Sequence, residues 1–133
     1  MSGQPKTLRI LQHTDVQFTV MTVQQMAKDI GMSSGAAASI ATAVSELCTN
    51  ITKYARMGRV RLRSVNRRGQ PGIEAFIEDS GPGIENLEEA MTDNFSSGGT
   101  LGLGLPGAKR LVDEFDVKTE VGKGTQIRVV KWG

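Results

Sequence analysis

The spacing of apolar residues changes period along the chain, and those changes give a first list of elements. Thr7 to Gln12 reads as a strand. Val16, Val20, Val23, Ala27 and Ile30 then recur at helical steps, in a helix that Thr14 or Asp15 can cap and Gly31 stops. Ser33 or Ser34 opens a second helix, with Ala36, Ile40, Ala43, Val44, Leu47 and Ile51 along one stripe. It is expected to run to about Tyr54 and to end before Gly58. The period next falls to two, where Val60, Leu62 and Ser64 alternate with Arg59, Arg61 and Arg63. A turn over residues 66–72 leads into a strand from Ile73 to Glu78. A short helix near Glu85 to Met91 precedes a glycine-rich stretch, Ser96 to Gly104. A third long helix is expected from Leu105, with Pro106 in its first turn, to near Phe115. Asp116 to Val121 and Thr125 to Trp132 make a closing hairpin around Gly122-Lys123-Gly124. This order implies an α/β (α+β) two-layer sandwich, with a mixed, mostly antiparallel sheet and helices on one face.

Composition narrows the class. The 133 residues suit one domain, 1–133, large enough to fold without disulfides or metal. Hydrophobic residues at 38% and charged residues at 23% describe a globular chain, and a net charge of +2 is too small to suggest a nucleic-acid partner. One cysteine, Cys48, fits a reducing compartment and reads as a packed small hydrophobe. No signal peptide and no membrane-length apolar run is seen, so a cytoplasmic location is expected. Met21, Met26 and Met32 read as core or interface filler, and the sole histidine, His13, is placed at a strand end. Eleven of the sixteen glycines fall between Gly69 and Gly124, which assigns them to particular loops. Charge is segregated too. Seven cations and no acid lie between Lys53 and Arg68, and seven acids and no cation between Glu74 and Asp93. The Arg59/Arg61/Arg63 stripe reads either as a solvated strand face or as a docking surface for an acidic partner.

Three segments carry candidate chemistry. Glu46 and Asn50 stand one helical turn apart and project together. A carboxylate can accept a proton and an amide oxygen can join the shell of Mg²⁺, although the same pair also suits a solvated helix face. Asp79-Ser80-Gly81-Pro82-Gly83 directly follows an apolar strand. Gly81 and Gly83 permit a tight bend against a flat ligand, and Asp79 can accept from an exocyclic amine; an ordinary turn uses the same residues. In the third segment, Gly98, Gly99, Thr100, Gly102, Leu103 and Gly104 precede a helix. Free backbone N–H groups there could surround phosphates, or the segment could be a surface loop. Gly102 to Gly107 fits neither a P-loop nor a strand-fed dinucleotide fingerprint.

The order and spacing of these segments resemble the N box, the G1 box and the lid-plus-G2 box of the GHKL ATP-binding superfamily. Glu46 with Asn50 matches the first, Asp79-x-Gly81-x-Gly83 the second and Gly102-x-Gly104 the third, while Gly124-Thr125 matches the late Gly-Thr pair. The resemblance covers about Leu8 to Trp132. The length leads one to expect neither dimerisation helices nor a transducer domain, which narrows the likeness to bacterial anti-sigma-type serine/threonine kinases. Ser45-Glu46-Leu47, Asn94-Phe95-Ser96, Gly104-Leu105-Pro106-Gly107 and Lys109-Arg110-Leu111 bring it nearest to the stressosome switch kinases.

What the resemblance implies is a Bergerat ATP-binding fold and transfer of the ATP γ-phosphate to Ser or Thr of a STAS-domain antagonist. Glu46 would be the catalytic base, and Asn50 would bind ATP and Mg²⁺. Asp79, Gly81, Gly83, Gly98, Gly99, Thr100, Gly102, Leu103, Gly104 and Thr125 would complete the ATP site. Once released, such a kinase would activate a PP2C-type phosphatase. The alternatives are an anti-sigma factor kinase that sequesters a σ subunit, and an ATP-dependent binding module without effective transfer. Neither nucleic acid nor membrane is an expected partner. Two departures from the family pattern stand out. Lys53-Tyr54 replaces a histidine found in many relatives, and Ser96 to Thr100 lacks a lid arginine. Lys109 or Arg110 could supply that cation or could face solvent.

Overall fold

A serine and an aspartate fix where the two long helices begin. The Ser33 hydroxyl accepts the Ala36 N–H at 3.2 Å, so α2 runs Ser34–Asn50. The first helix, α1 (His13–Asp29), starts earlier than expected. Gln12 occupies its cap, and Asp15 sits in the first turn, where its carboxylate accepts the backbone N–H groups of Leu11 and Gln12. His13 therefore opens a helix rather than closing a strand. A computed structural model describes residues 4–55, 57–91 and 104–133, apart from the Glu89 side chain. Gly98, Gly99, Thr100, Gly102 and Leu103 lie outside the described residues.

Among the described residues, five strands follow the expected alternation with boundaries shifted by a few residues: β1 (Lys6–Ile10), β2 (Gly58–Arg67), β3 (Gln70–Asp79), β4 (Glu114–Glu120) and β5 (Gly124–Trp132). Their order is β1-β2-β3-β5-β4, and all four described pairings are antiparallel. The expectation of a mostly antiparallel sheet is thus met by pairings of one kind. The short α3 is Leu87–Ala90, and α4 is Leu105–Leu111.

Two helix ends differ from the sequence reading. The second helix does not continue as an α-helix to Tyr54, because residues 51–55 wind into a π-helical turn after Asn50. The last helix is seven residues long and stops well short of Phe115. Leu111, Val112 and Phe115 have a spacing that serves a helix as well as a strand, and here the sheet wins. Val112 is extended, the Asp113 N–H donates to the Val130 carbonyl at 2.8 Å, and Phe115 pairs with Val129.

All the long helices lie on one side of the sheet. Ile40, Val44, Leu47 and Ile51 of the second helical run are fully buried against Val60, Leu62, Ile73 and Val129. Val16, Val23 and Ala27 bury the inner face of α1. Cys48 joins this core, where burial pushes its thiol up to about 12. Met32 is buried and Met26 partly so, but Met21 is 64% exposed.

The opposite sheet face explains the segregated charge. The β2–β3 hairpin lays the cationic run beside the acidic one. Arg59 pairs with Glu78 and Arg63 with Glu74 at 2.7 Å, while Arg128 reaches Glu74 at 2.8 Å and both Glu114 and Asp116 at 3.2 Å. Arg61 stacks over Phe76 at 5.3 Å. The arginine stripe is therefore a solvated strand face whose members are matched within the sheet.

This two-sidedness is open to a direct test in urea. Leu62→Ala, which truncates a buried side chain, is expected to cost about 2–5 kcal/mol. Arg61→Ala, its neighbour on the solvated face, is expected to cost less than about 1 kcal/mol. Equal losses would contradict the layer assignment.

Candidate functional site

Strand periodicity and helix pitch converge at one end of the sheet. On β3, Ile77 and Asp79 are two residues apart and share the helix-covered side. On β5, Thr125 stands opposite Asp79 and Ile127 opposite Ile77. Above them, α2 brings Leu47 and Asn50, and the π-helical turn adds Tyr54 and Ala55. These residues, with Leu105 at the start of α4 and the bend Pro82-Gly83-Ile84-Glu85, enclose a cavity of about 280 Å³. That lies near the lower end of ordinary small-molecule clefts, about 300–1,000 Å³. Its walls are apolar at Leu47, Ile77, Leu105 and Ile127, and its polar groups are grouped at Asn50, Asp79 and Thr125. A flat ring with one polar edge suits such a lining.

Asp79 is the electrostatic feature of this cavity. Burial raises its pKa from the ordinary aspartate value, while hydrogen bonds from the backbone of Gly81 (2.9 Å) and Thr125 pull in the other direction without cancelling the shift. The carboxylate is thus held in place by two donors yet only half solvated, a good acceptor for a ligand N–H.

The bend after Asp79 is built on close backbone approach. Gly83 has φ +78°, and a Cβ there would come within 2.5 Å of the Glu120 carbonyl. The Gly122 N–H meanwhile donates to the Pro82 carbonyl at 2.8 Å. The bend is thereby fastened to the β4–β5 turn. On its other side Gly81 packs against Ala55, where a Cβ would sit 2.6 Å from the alanine methyl.

Glu46 occupies a separate position at the rim. It is exposed and lies one turn before Asn50, with Oε2 directed at Gly104. Gly104 has φ +64°, and a Cβ on it would stand 2.8 Å from that oxygen. A side chain at position 104 would therefore displace the carboxylate.

Of the residues expected from the sequence, Asn50, Asp79, Gly83 and Thr125 line the cavity, Gly81 shapes its wall, and Glu46 and Gly104 meet beside it. Lys109 and Arg110 are exposed and line no part of it. Leu47, Tyr54, Ile77 and Ile127 were missed, although helical spacing from Asn50 and two-residue spacing from Asp79 and Thr125 pointed to them. A larger hollow of about 610 Å³, lined by Thr7, Arg9, Arg59 and Glu78 among others, opens on the solvated sheet face and touches this site through Asp79 alone. Among the described residues no three His, Cys, Asp or Glu side chains converge, and no helix is long and apolar enough to cross a membrane.

Residues 12–131 match the family model of the histidine kinase-like ATPase domain. The chain is similar to the serine/threonine-protein kinase RsbT of Bacillus subtilis, at 41% identity over 125 residues covering 94% of each chain. It is also similar to anti-sigma F factors. That of Caldanaerobacter subterraneus is 34% identical over 71% of this chain and 69% of its own. That of Clostridium acetobutylicum is 31% identical over 86% of this chain and 82% of its own. Among solved structures, the histidine kinase domain of the Erythrobacter litoralis blue-light activated histidine kinase superposes with a TM-score of 0.50. It is 21% identical and spans 90% of this chain and 59% of that one, a likeness of fold.

The raised pKa of Asp79 fixes the sign of a pH effect. An unfolded aspartate titrates near 3.9, and the folded group titrates higher, so the fold binds this proton more tightly. The stability this group contributes is greatest below the unfolded value and falls as pH rises through the folded one. At pH 7, Asp79→Asn is expected to melt at or above the native temperature, with the difference closing towards about pH 4. A variant melting about 4 °C lower at pH 7, roughly 1 kcal/mol in a domain of this size, would contradict the assignment.

Proposed function

The chain belongs to the histidine kinase-like ATPase family, and on that footing we propose that it is an ATP-dependent serine/threonine protein kinase of a partner-switching module. The observation that carries this reading is the convergence of Asn50, Asp79 and Thr125 on one adenine-sized cavity, with the Glu46 carboxylate beside it. Asp79 accepts the exocyclic N6–H of adenine. Guanine presents a carbonyl at that position and is repelled by the carboxylate. The apolar walls from Leu47, Ile77 and Ile127 take the faces of the ring.

The phosphates then extend towards Asn50 and the start of α4. The donor chemistry fits Mg²⁺: Asn50 offers a neutral amide oxygen, and such an ion takes one or two protein ligands with phosphate and water completing its shell. When bound, the ion offsets the negative charge of the phosphate oxygens. Glu46 accepts the proton of the substrate hydroxyl as its oxygen bonds the γ-phosphorus, the bond to the β–γ bridging oxygen breaks, and ADP departs. Alignment of these groups by α2 and the β3–β5 ladder supplies most of what such a transfer requires.

The likeness to RsbT supports a STAS-domain antagonist as substrate and, after release, activation of a PP2C-type phosphatase by direct binding. The likeness to anti-sigma F factors supports a second reading, in which the same domain also holds a σ subunit.

Transfer of radiolabelled γ-phosphate to a purified STAS protein, with and without Mg²⁺, tests the proposal, and loss of label transfer without Mg²⁺ is expected. Glu46→Gln should lower transfer about 100-fold or more while changing ATP affinity less than about threefold. Asp79→Asn should instead weaken ATP binding itself, about tenfold or more. Transfer by Glu46→Gln at the native rate would remove Glu46 from the reaction. A co-purifying σ subunit would select the second reading.

A further inference from the structure

Thr119 does not line the cavity, yet its hydroxyl is the junction of everything behind the polar edge. It lies on β4 directly opposite Thr125, which in turn lies opposite Asp79 on β3. Thr119 Oγ1 accepts the Ile84 N–H at 2.8 Å, stands 2.9 Å from Thr125 Oγ1 and stands 3.2 Å from the Gly124 carbonyl oxygen. One hydroxyl thus ties the end of the glycine bend to the residue that shares the cavity edge with Asp79.

Counting protons around this junction limits what Thr125 can present. A threonine hydroxyl has one proton to donate. With the Ile84 N–H already directed at it, Thr119 sends its proton either to the Gly124 carbonyl or to Thr125. The carbonyl contact at 3.2 Å is long for an O–H···O bond, whereas 2.9 Å to Thr125 is within the usual range. If Thr119 donates to Thr125, the Thr125 proton is released towards the cavity. If the order reverses, Thr125 spends its proton on Thr119 and offers only lone pairs there.

The two orders select different bases. Adenine pairs an N6–H donor with a neighbouring N1 acceptor, so its edge matches one acceptor and one donor side by side. Asp79 is the acceptor, and the donor is a Thr125 hydroxyl backed by Thr119. Guanine and hypoxanthine present the reverse, a carbonyl beside an N1–H. We propose that Thr119 is a positioning residue for base recognition: by donating to Thr125, it orients that hydroxyl as a donor towards purine N1. This rests on the nucleotide reading of the cavity given above. The same hydroxyl holds Ile84, so the proton order and the position of the glycine bend are set together.

Calorimetric titration with ATP and with 1-deaza-ATP, which has C–H in place of N1, tests the inference on the purified protein. The native protein is expected to prefer ATP by about three- to tenfold, the worth of one hydrogen bond. Thr119→Val, similar in shape but without the hydroxyl, should lose that preference by weakening ATP alone. Thr119→Ser should retain it. If Thr119→Val does not fold, Thr119→Ala carries the same comparison. A native protein that binds both nucleotides equally, or a Thr119→Val protein that keeps the native ratio while binding both more weakly, would overturn the role of Thr119 and leave the kinase reading intact. A native protein that binds neither would overturn the kinase reading itself.

Discussion

The ladder between β3 and β5 is the constraint on which the site depends. Antiparallel register sets Asp79 against Thr125 and Ile77 against Ile127, so two polar and two apolar groups form a square at one end of the sheet. Helix α2 covers that square and brings Asn50 over its polar edge. Burial alone would make Asp79 a poor anion, and the backbone donors from Gly81 and Thr125 partly offset that cost. The carboxylate is kept partly desolvated by the fold, and a desolvated acceptor gains most from a ligand N–H that replaces lost water. A solvated carboxylate at the same position would hold the same partner less selectively.

Much of this was legible in the sequence, because the relevant signals are local. Helical steps from Ala36 to Ile51 identified the stripe that covers the sheet, and two-residue alternation from Arg59 to Ser64 identified its solvated strand. The motifs that carry the family resemblance pointed to Asn50, Asp79, Gly83 and Thr125, which line the cavity, and to Glu46 and Gly81 beside it. Other features depend on long-range pairing that local spacing does not carry. The end of α4 is decided by Asp113 bonding to Val130 and Phe115 pairing with Val129. The π-helical turn after Asn50 is equally silent in the pattern, since Ile51 continues the apolar stripe whether or not the turn widens. Thr119 falls within the expected Asp116 to Val121 strand, and only the register shows that it stands opposite Thr125.

Close packing links these pieces into one unit. Gly83 lies on the Glu120 carbonyl, Gly81 on Ala55, and Gly104 against Glu46. Each contact joins a glycine-bearing segment to a different element: the β4–β5 turn, the π-helical turn and α2. At these three positions glycine serves close approach rather than loop flexibility. A side chain at Gly83 or Gly81 would push apart segments of backbone, whereas one at Gly104 would displace the Glu46 carboxylate.

The solvated face of the sheet completes the argument, because β3 serves both sides at once. Glu74, Phe76 and Glu78 point outward to Arg63, Arg128, Arg61 and Arg59, while Ile73, Ala75, Ile77 and Asp79 belong to the covered side. Each exposed pair is worth little alone, on the order of 0–1 kcal/mol. Together they penalise misregistration, since a slip of one residue would turn Glu74 and Glu78 into the core and Ile77 out to water. The same slip would carry Asp79 away from Thr125. A charge pattern that reads in isolation as a solvated face or a docking surface thus also acts as a register lock, and its effect is felt on the other side of the strand, where it helps to keep the Asp79 carboxylate opposite Thr125.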